Sequence, residues 1–273
     1  VRGAFLIDSL AIGRFDGLHL GHAELFKNLG ANGAILLVDT KKANLTPPEF
    51  LGRYTTLPVY RYELERIKEL DAKEFIGKIK EDFPKAKKIV VGEDFRFAAN
   101  RSAGTDELKE LFEGETLIVP ELKIDGVGVH SRLIRALIIE GKVKEAAKYL
   151  GRNYEVFGSV VKGQGIGAQK LVPTINLLVE RYILPKEGVY ATRTEIEGKL
   201  CPSVTFVGHR VSTDGNFAVE THILEGFCAV DVERVFVSFI AKIRDNKYYE
   251  SIEELKYAIK SDISAAIVLS QKS

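Results

Sequence analysis

Along the first half of the chain, short continuous apolar runs alternate with stretches in which apolar residues recur every three or four positions. Ser9 to Ile12, Gly33 to Asp39, Ile89 to Gly92 and Thr116 to Pro120 are the runs, and their length predicts buried strands. His22 to Leu29, with Gly30 as its stop, Val59 to Lys68, Ala72 to Glu81 and Thr105 to Phe112 carry the helical spacing. Strands alternating with helices predict a parallel sheet wrapped by helices, and such sheets bind ligands beyond the carboxyl ends of their strands. From Arg132 to Leu150 the pattern is helical twice, broken at Gly141, and Gly151-Arg152-Asn153 marks a boundary. Domains of 1–152 and 153–273 follow.

Past that boundary the period shortens. Tyr154 to Val161, Gly188 to Thr194, Leu200 to Val207, Asn216 to His222 and Arg234 to Lys242 are short, rich in β-branched and aromatic residues, and separated by glycine-bearing or charged turns. Regularly spaced strands of this sort predict a small antiparallel barrel. A closing helix, Ser251 to Ile267, has Ser251 placed as N-cap and Glu253 and Glu254 in its first turn.

Composition narrows the function classes. The 273 residues suit two domains, and 45% hydrophobic with 28% charged residues is ordinary for a globular protein. No apolar run approaches the roughly 20 residues of a membrane span, and Val1 to Ile7 is too short and too quickly followed by Asp8 to read as a secretory signal. A net charge of +1 argues against nucleic acid as a partner, which would need clustered excess Lys and Arg. Cys201 and Cys228 lack metal-type spacing, so free thiols in a reducing compartment are expected. The expectation is a cytoplasmic enzyme, monomeric or weakly oligomeric, whose partners are small molecules.

The chemistry starts after the first strand. Gly13-Arg14-Phe15-Asp16-Gly17-Leu18-His19-Leu20-Gly21-His22 places three glycines and two of the five histidines at a strand-to-helix turn. Gly13, Gly17 and Gly21 lack Cβ atoms, so backbone N–H groups there can approach a polyphosphate, with Phe15 and Asp16 in the same loop. His19 and His22, three apart, would face one anion. This H-x-G-H segment resembles the nucleotidylyltransferase superfamily, in which the paired histidines stabilise charge at the α-phosphate of ATP.

Two further segments make the resemblance narrower. Val91-Gly92-Glu93-Asp94-Phe95-Arg96-Phe97 resembles the V-G-x-D-F-x-F-G segment of bacterial bifunctional riboflavin kinase/FMN adenylyltransferases, with Ala98 in place of the last glycine. Ser131-Arg132-Leu133-Ile134-Arg135 is similar to that family's S-S-T-x-I-R, whose arginine holds ATP phosphates; His130 and Arg132 stand for the usual serine and threonine. The resemblance implies phosphate contacts from Ser131 and Arg135, and flavin-side contacts from Asp94, Phe95 and Asn44, the last in the turn-rich Asn44-Leu45-Thr46-Pro47-Pro48. On the residues alone, Arg135 could also be a surface ion pair, and Asp94 a loop cap.

The second half resembles the riboflavin kinase of the same family. Gly163, Gly165 and Gly167 form a glycine-dense loop leading to Pro173-Thr174-Ile175-Asn176, one position short of the family's spacing before the proline. The resemblance implies nucleotide binding by the loop and Mg²⁺ held by Thr174 and Asn176, which point one way if the chain is extended. It also implies Glu220 as general base and Arg244 beside the flavin. Alternation gives Glu220 and His222 one face, so Glu220 could also be an outward strand residue. His209 and Arg210 stand where the family has R-P-T. The expected fold is thus a nucleotidylyltransferase-type, Rossmann-like α/β domain, followed by a riboflavin-kinase barrel with a C-terminal helix. The expected reactions are riboflavin plus ATP to FMN, and FMN plus ATP to FAD and pyrophosphate. A monofunctional relative, another H-x-G-H transferase and a non-catalytic flavin-binding protein stay open at this point.

Overall fold

The structure, a computed structural model, describes residues 6–162, 172–212, 214–224 and 232–271. By compactness the chain forms two units, Val1–Lys42 with Thr46–Ser131, and Ala43–Leu45 with Arg132–Ser273.

The first unit is built on a parallel sheet of β1 (Ser9–Gly13), β2 (Gly33–Asp39), β3 (Val59–Glu63), β4 (Lys88–Gly92) and β5 (Glu115–Val119), in the order β3-β2-β1-β4-β5. Its helices are α1 (Leu20–Phe26), α2 (Leu64–Ile67), α3 (Ala72–Asp82) and α4 (Thr105–Leu111). Both faces of the central strands are buried, which is why they read as unbroken apolar runs. Leu10, Ile12, Ala34 and Leu36 pack with Phe75, Ile76 and Ile79 of α3, while Ala11, Ile35 and Leu37 face Phe15 and Leu51. Asp71 caps α3 through a reciprocal pair of bonds with Glu74, at 2.9 and 2.8 Å.

One expected helix divides. Of Val59 to Lys68, the first part is the edge strand β3, paired in parallel with β2, and only Leu64–Ile67 is helical. Val59-Tyr60-Arg61-Tyr62 has the β-branched and aromatic content of a strand, and an edge strand buried on one side carries too few apolar positions to fix the period. A small hairpin, β6 (Lys123–Ile124) with β7 (Val127–Gly128), is too short for its apolar pattern to announce; it turns on Asp125 and Gly126, both at positive φ (51° and 79°).

Two helices follow, α5 (Ser131–Ile139) and α6 (Val143–Leu150), and α6 ends on Gly151 in the left-handed conformation (φ 74°). β8 (Tyr154–Val161), β9 (Ile175–Leu178), β10 (Gly188–Ile196), β11 (Lys199–His209), β12 (Phe217–Ile223) and β13 (Arg234–Asp245) then close a barrel in the order β10-β11-β12-β9-β8-β13, with antiparallel pairing throughout. The strand β9 begins inside the Pro-Thr-x-Asn segment, whose few residues show no alternation. The expected helix at the end is α7 (Ile252–Gln271), where Ser251 Oγ accepts from the backbone of Glu254 at 3.2 Å.

The barrel core is partly polar. Thr192, Thr194, Ser203, Thr205 and Thr221 are fully buried, and their hydroxyls bond in a chain running from β10 through β11 to β12 at 2.8–2.9 Å. Because each bond joins particular residues on adjacent strands, the chain fixes register in a barrel that a one-residue slip would otherwise turn inside out. Outside, Val189, Ala191, Val204 and Ile240 pack against α7 through Ala266, Ile263 and Leu269. Residues 43–45 belong with this unit: the backbone of Asn44 accepts from Ile183 N and donates to Arg181 O, at 3.0 and 2.7 Å.

Candidate functional sites

In the first unit, chain order reverses between β1 and β4, the position at which open α/β sheets hold ligands. Ala11 pairs with Val90, so Gly13 and Gly92 end their strands side by side. The glycine-histidine loop and the Gly92–Phe97 segment therefore leave the sheet at one crevice.

The loop shows why its residue types recur at these positions. His19 is the N-cap of α1: it is 4% exposed, and its Nδ1 accepts from His22 N at 3.3 Å. A neutral imidazole that accepts at Nδ1 carries its proton on Nε2. The rings of His19 and His22 stack, 3.5 Å between centroids and 20° from parallel. Gly21 permits this, since a Cβ there would stand 3.1 Å from the Val129 carbonyl and 3.2 Å from the His19 ring. Gly17 has φ 85°, and Gly13 lies against the ring of Phe15. Phe15, itself at φ 42°, packs edge-to-face with His22 at 5.2 Å between centroids.

Asp16 is buried, and its partners are backbone groups: Oδ1 accepts from Thr46 N at 3.3 Å, and its carbonyl accepts from Ser131 Oγ at 2.9 Å. It ties the glycine loop to residue 46 and to the start of α5. Arg135 stands one turn further along α5, in the second unit and half-buried beside Ile134. Asp94 is exposed, with Oδ1 set close over Gly92, and Phe95 stacks on Phe97 at 5.6 Å. Ala98, in the place of the family's glycine, adopts φ 66° and ψ 177°, a conformation costly for any residue with a Cβ.

In the barrel, β12 lies between β11 and β9, and Glu220 pairs directly with Asn176. His222, two residues on along the same face, meets the Pro173 carbonyl through Nδ1 at 2.7 Å; because a carbonyl only accepts, Nδ1 carries the proton. Thr174 follows Pro173 directly, so β12 holds the segment bearing Thr174 and Asn176 at two points. Their side chains and the Glu220 carboxylate are hard oxygen donors, a set that suits Mg²⁺ bound partly through water and phosphate. Among the described residues no group of three or more His, Cys, Asp or Glu could hold a metal ion. Gly163, Gly165 and Gly167 lie outside the described residues.

Two residues make contacts that the sequence pattern does not announce. Arg210 donates to Glu220 Oε1 at 3.0 Å and to Asp214 Oδ2 at 2.9 Å, and its signal was only a partial motif. Glu187, just before β10, accepts from His209 N at 3.0 Å and Asn246 Nδ2 at 3.1 Å and pairs with the His209 ring at 2.8 Å; the backbone bond and then the ring hold its carboxyl below the usual glutamate range. Gly208 admits that carboxylate, since a Cβ there would lie 2.6 Å from it. Arg244 reaches α7: its Nε and Nη2 donate to the buried Asp262 carboxylate at 2.8–3.1 Å, with Tyr249 over its plane at 5.5 Å. The guanidinium so pins α7 to β13.

Comparison with known proteins gives two matching family models, FAD synthetase over residues 55–133 and riboflavin kinase over 150–269. The bifunctional riboflavin kinase/FMN adenylyltransferase of Pseudomonas fluorescens is 28% identical over 96% of this chain and 93% of its own length. That of Escherichia coli (strain K12) is 27% identical over 93% and 90%. The crystal structure of a macrolide-efflux protein from Streptococcus pneumoniae superposes with a TM-score of 0.83 and 28% identity, covering 95% of this chain and 94% of that one. No helix among the described residues is long and apolar enough to cross a membrane. Both modules are thus matched in the order of the relatives, and along nearly its whole length the chain is similar to the bacterial bifunctional riboflavin kinase/FMN adenylyltransferases.

Proposed function

We propose that this chain makes FAD from riboflavin in two ATP-dependent steps, phosphoryl transfer in the barrel and adenylyl transfer at the parallel sheet. The pairing of Glu220 with Asn176 carries the first assignment, because it sets a carboxylate against the expected metal ligands of the Pro-Thr-x-Asn segment. The stacked His19 and His22 at the end of β1 carry the second. We divide the functions at 1–152 and 153–273, since Ser131 and Arg135 serve adenylyl transfer on the family resemblance.

In the first step the riboflavin 5′-hydroxyl attacks the γ-phosphorus of ATP, the bond to the β–γ bridging oxygen breaks, and ADP leaves. Glu220 takes the hydroxyl proton; placement within hydrogen-bond reach matters more than high basicity in a loose phosphoryl-transfer transition state. Mg²⁺, which Thr174 and Asn176 would hold, supplies charge neutralisation at the phosphates. Gly163, Gly165 and Gly167 are assigned to the same nucleotide.

In the second step a phosphate oxygen of FMN attacks the α-phosphorus of a second ATP, and pyrophosphate leaves. Protonated His19 Nε2 and His22 meet the charge that builds there, and Arg135 is assigned to the same phosphates as a fork that never loses its charge. Gly13, Gly17 and Gly21 let the backbone close on the nucleotide, with Phe15, Asp16 and Ser131 as the frame of that loop. Asn44, Asp94 and Phe95 are kept as flavin-side residues of this step, and Arg244 as the flavin-side residue of the kinase step, on the resemblance. The partners are small molecules alone, the compartment is the cytoplasm, where ATP is made and used, and a monomer or weak oligomer is expected. Incubating the protein with riboflavin, ATP and Mg²⁺ and separating the flavins by chromatography tests the reading: FMN and FAD should both form. Unchanged riboflavin would refute it.

A further inference from the structure

The contact between Arg210 and Glu220 adds a residue to the kinase site. Arg210 opens the β11–β12 turn, and its backbone closes that turn through bonds from Arg210 N to Asn216 O and from Gly215 N to Arg210 O, at 2.9 and 3.1 Å. Its fork spans two carboxylates, Glu220 Oε1 at 3.0 Å and Asp214 Oδ2 at 2.9 Å, and the three side chains are each only about one-fifth exposed. Asp214 is held in turn by Asn216, through its N–H at 3.2 Å and its Nδ2 at 2.7 Å. A chain of directed bonds thus runs from the turn backbone to one oxygen of the expected general base.

We propose that Arg210 is a positioning residue for phosphoryl transfer, fixing the Glu220 carboxylate by one oxygen so that the other is presented to the substrate hydroxyl. This rests on the kinase reading of the barrel. An unrestrained glutamate on a strand samples several rotamers, and a base that must lie within hydrogen-bond reach of a hydroxyl loses rate for each unproductive one. An arginine suits the task because it stays protonated and cannot take the proton itself. Phosphoryl transfer depends little on base strength, so placement decides.

The test uses the full chain and four variants: Arg210→Gln, Arg210→Lys, Glu220→Gln and the Arg210→Gln/Glu220→Gln double. Arg210→Gln should lower kcat for riboflavin phosphorylation by about 10- to 100-fold, with KM for riboflavin within about threefold. Arg210→Lys should recover part of the loss. In the Glu220→Gln background the same arginine change should alter kcat by no more than about twofold, because the arginine acts only through that carboxylate. FAD formation from supplied FMN and the thermal midpoint should stay at the parental values. Equal losses in both backgrounds, a loss confined to KM, or an unchanged kcat would each overturn the inference while Glu220→Gln still reports on the kinase reading. Failure of the unaltered protein to phosphorylate riboflavin would overturn that reading, and the inference with it.

Discussion

Glu220 and Asn176 stand directly opposite each other across the antiparallel β9–β12 pair. Cross-strand partners have Cβ atoms about 5 Å apart, so a strand register suffices to assemble a base and a metal-ligand segment that lie far apart in the sequence. His222 and the Pro173 carbonyl repeat the link one step along.

From that pairing comes a metal titration. Asn176→Ala should raise the Mg²⁺ concentration needed for half-maximal riboflavin phosphorylation by at least about tenfold. The Mg²⁺ dependence of FAD formation from FMN should not move. A shift in both reactions, or in neither, contradicts the assignment of Asn176.

His19 has two tasks that one substitution separates. Asparagine is among the best N-caps, so His19→Asn should keep the cap of α1 and cost no more than about 0.5 kcal/mol of stability. The Nε2 donor is lost, and FAD formation should fall by about 100-fold or more. Retained adenylyl transfer with a retained thermal midpoint would show that His19 is a cap alone.

Ala98 stands in backbone territory that favours glycine. Ala98→Gly should therefore stabilise the protein by about 1 kcal/mol, the relief of strain exceeding glycine's extra freedom in the unfolded chain. Urea unfolding measures this directly, and a loss of stability would mean that the conformation is not strained.

The Glu187 carboxyl is held below its usual range by the backbone and ring of His209. A depressed folded-state pKa gives stability that is complete above the unfolded value, about 4.3, and that is lost as pH falls through the folded value. Glu187→Gln should accordingly be less stable than the parent at pH 7, and the gap should close as the solution is acidified below pH 4 or so. A gap independent of pH would assign the effect to packing.

Most of this architecture was legible in the apolar pattern. Buried central strands such as Leu10 to Ile12 and Ile35 to Leu37 announce themselves because both faces are covered. The edge strand β3 and the hairpin at Asp125-Gly126 did not, since they bury little and their few apolar positions leave the period undecided. The histidine pair could be read from spacing, and the structure adds the reason for Gly21. Glu220 could be named only by resemblance, because alternation cannot tell a site face from a solvent face; the register with Asn176 supplies what the sequence lacked. Arg210 stayed hidden because its partners, Asp214 and Glu220, come together only when the β11–β12 turn closes. Arg244 shows the reverse: its fork is already engaged by Asp262, a contact that no spacing announces.

The central claim is that two separate sites on one chain act in succession on one flavin. Its most direct test compares Glu220→Gln with His22→Ala, each assayed with ATP and Mg²⁺ on riboflavin and, separately, on FMN. Glu220→Gln should cut FMN formation to a small residual rate yet still convert supplied FMN to FAD, while His22→Ala should make FMN and stop there. Equal loss of both reactions in both variants would contradict the account.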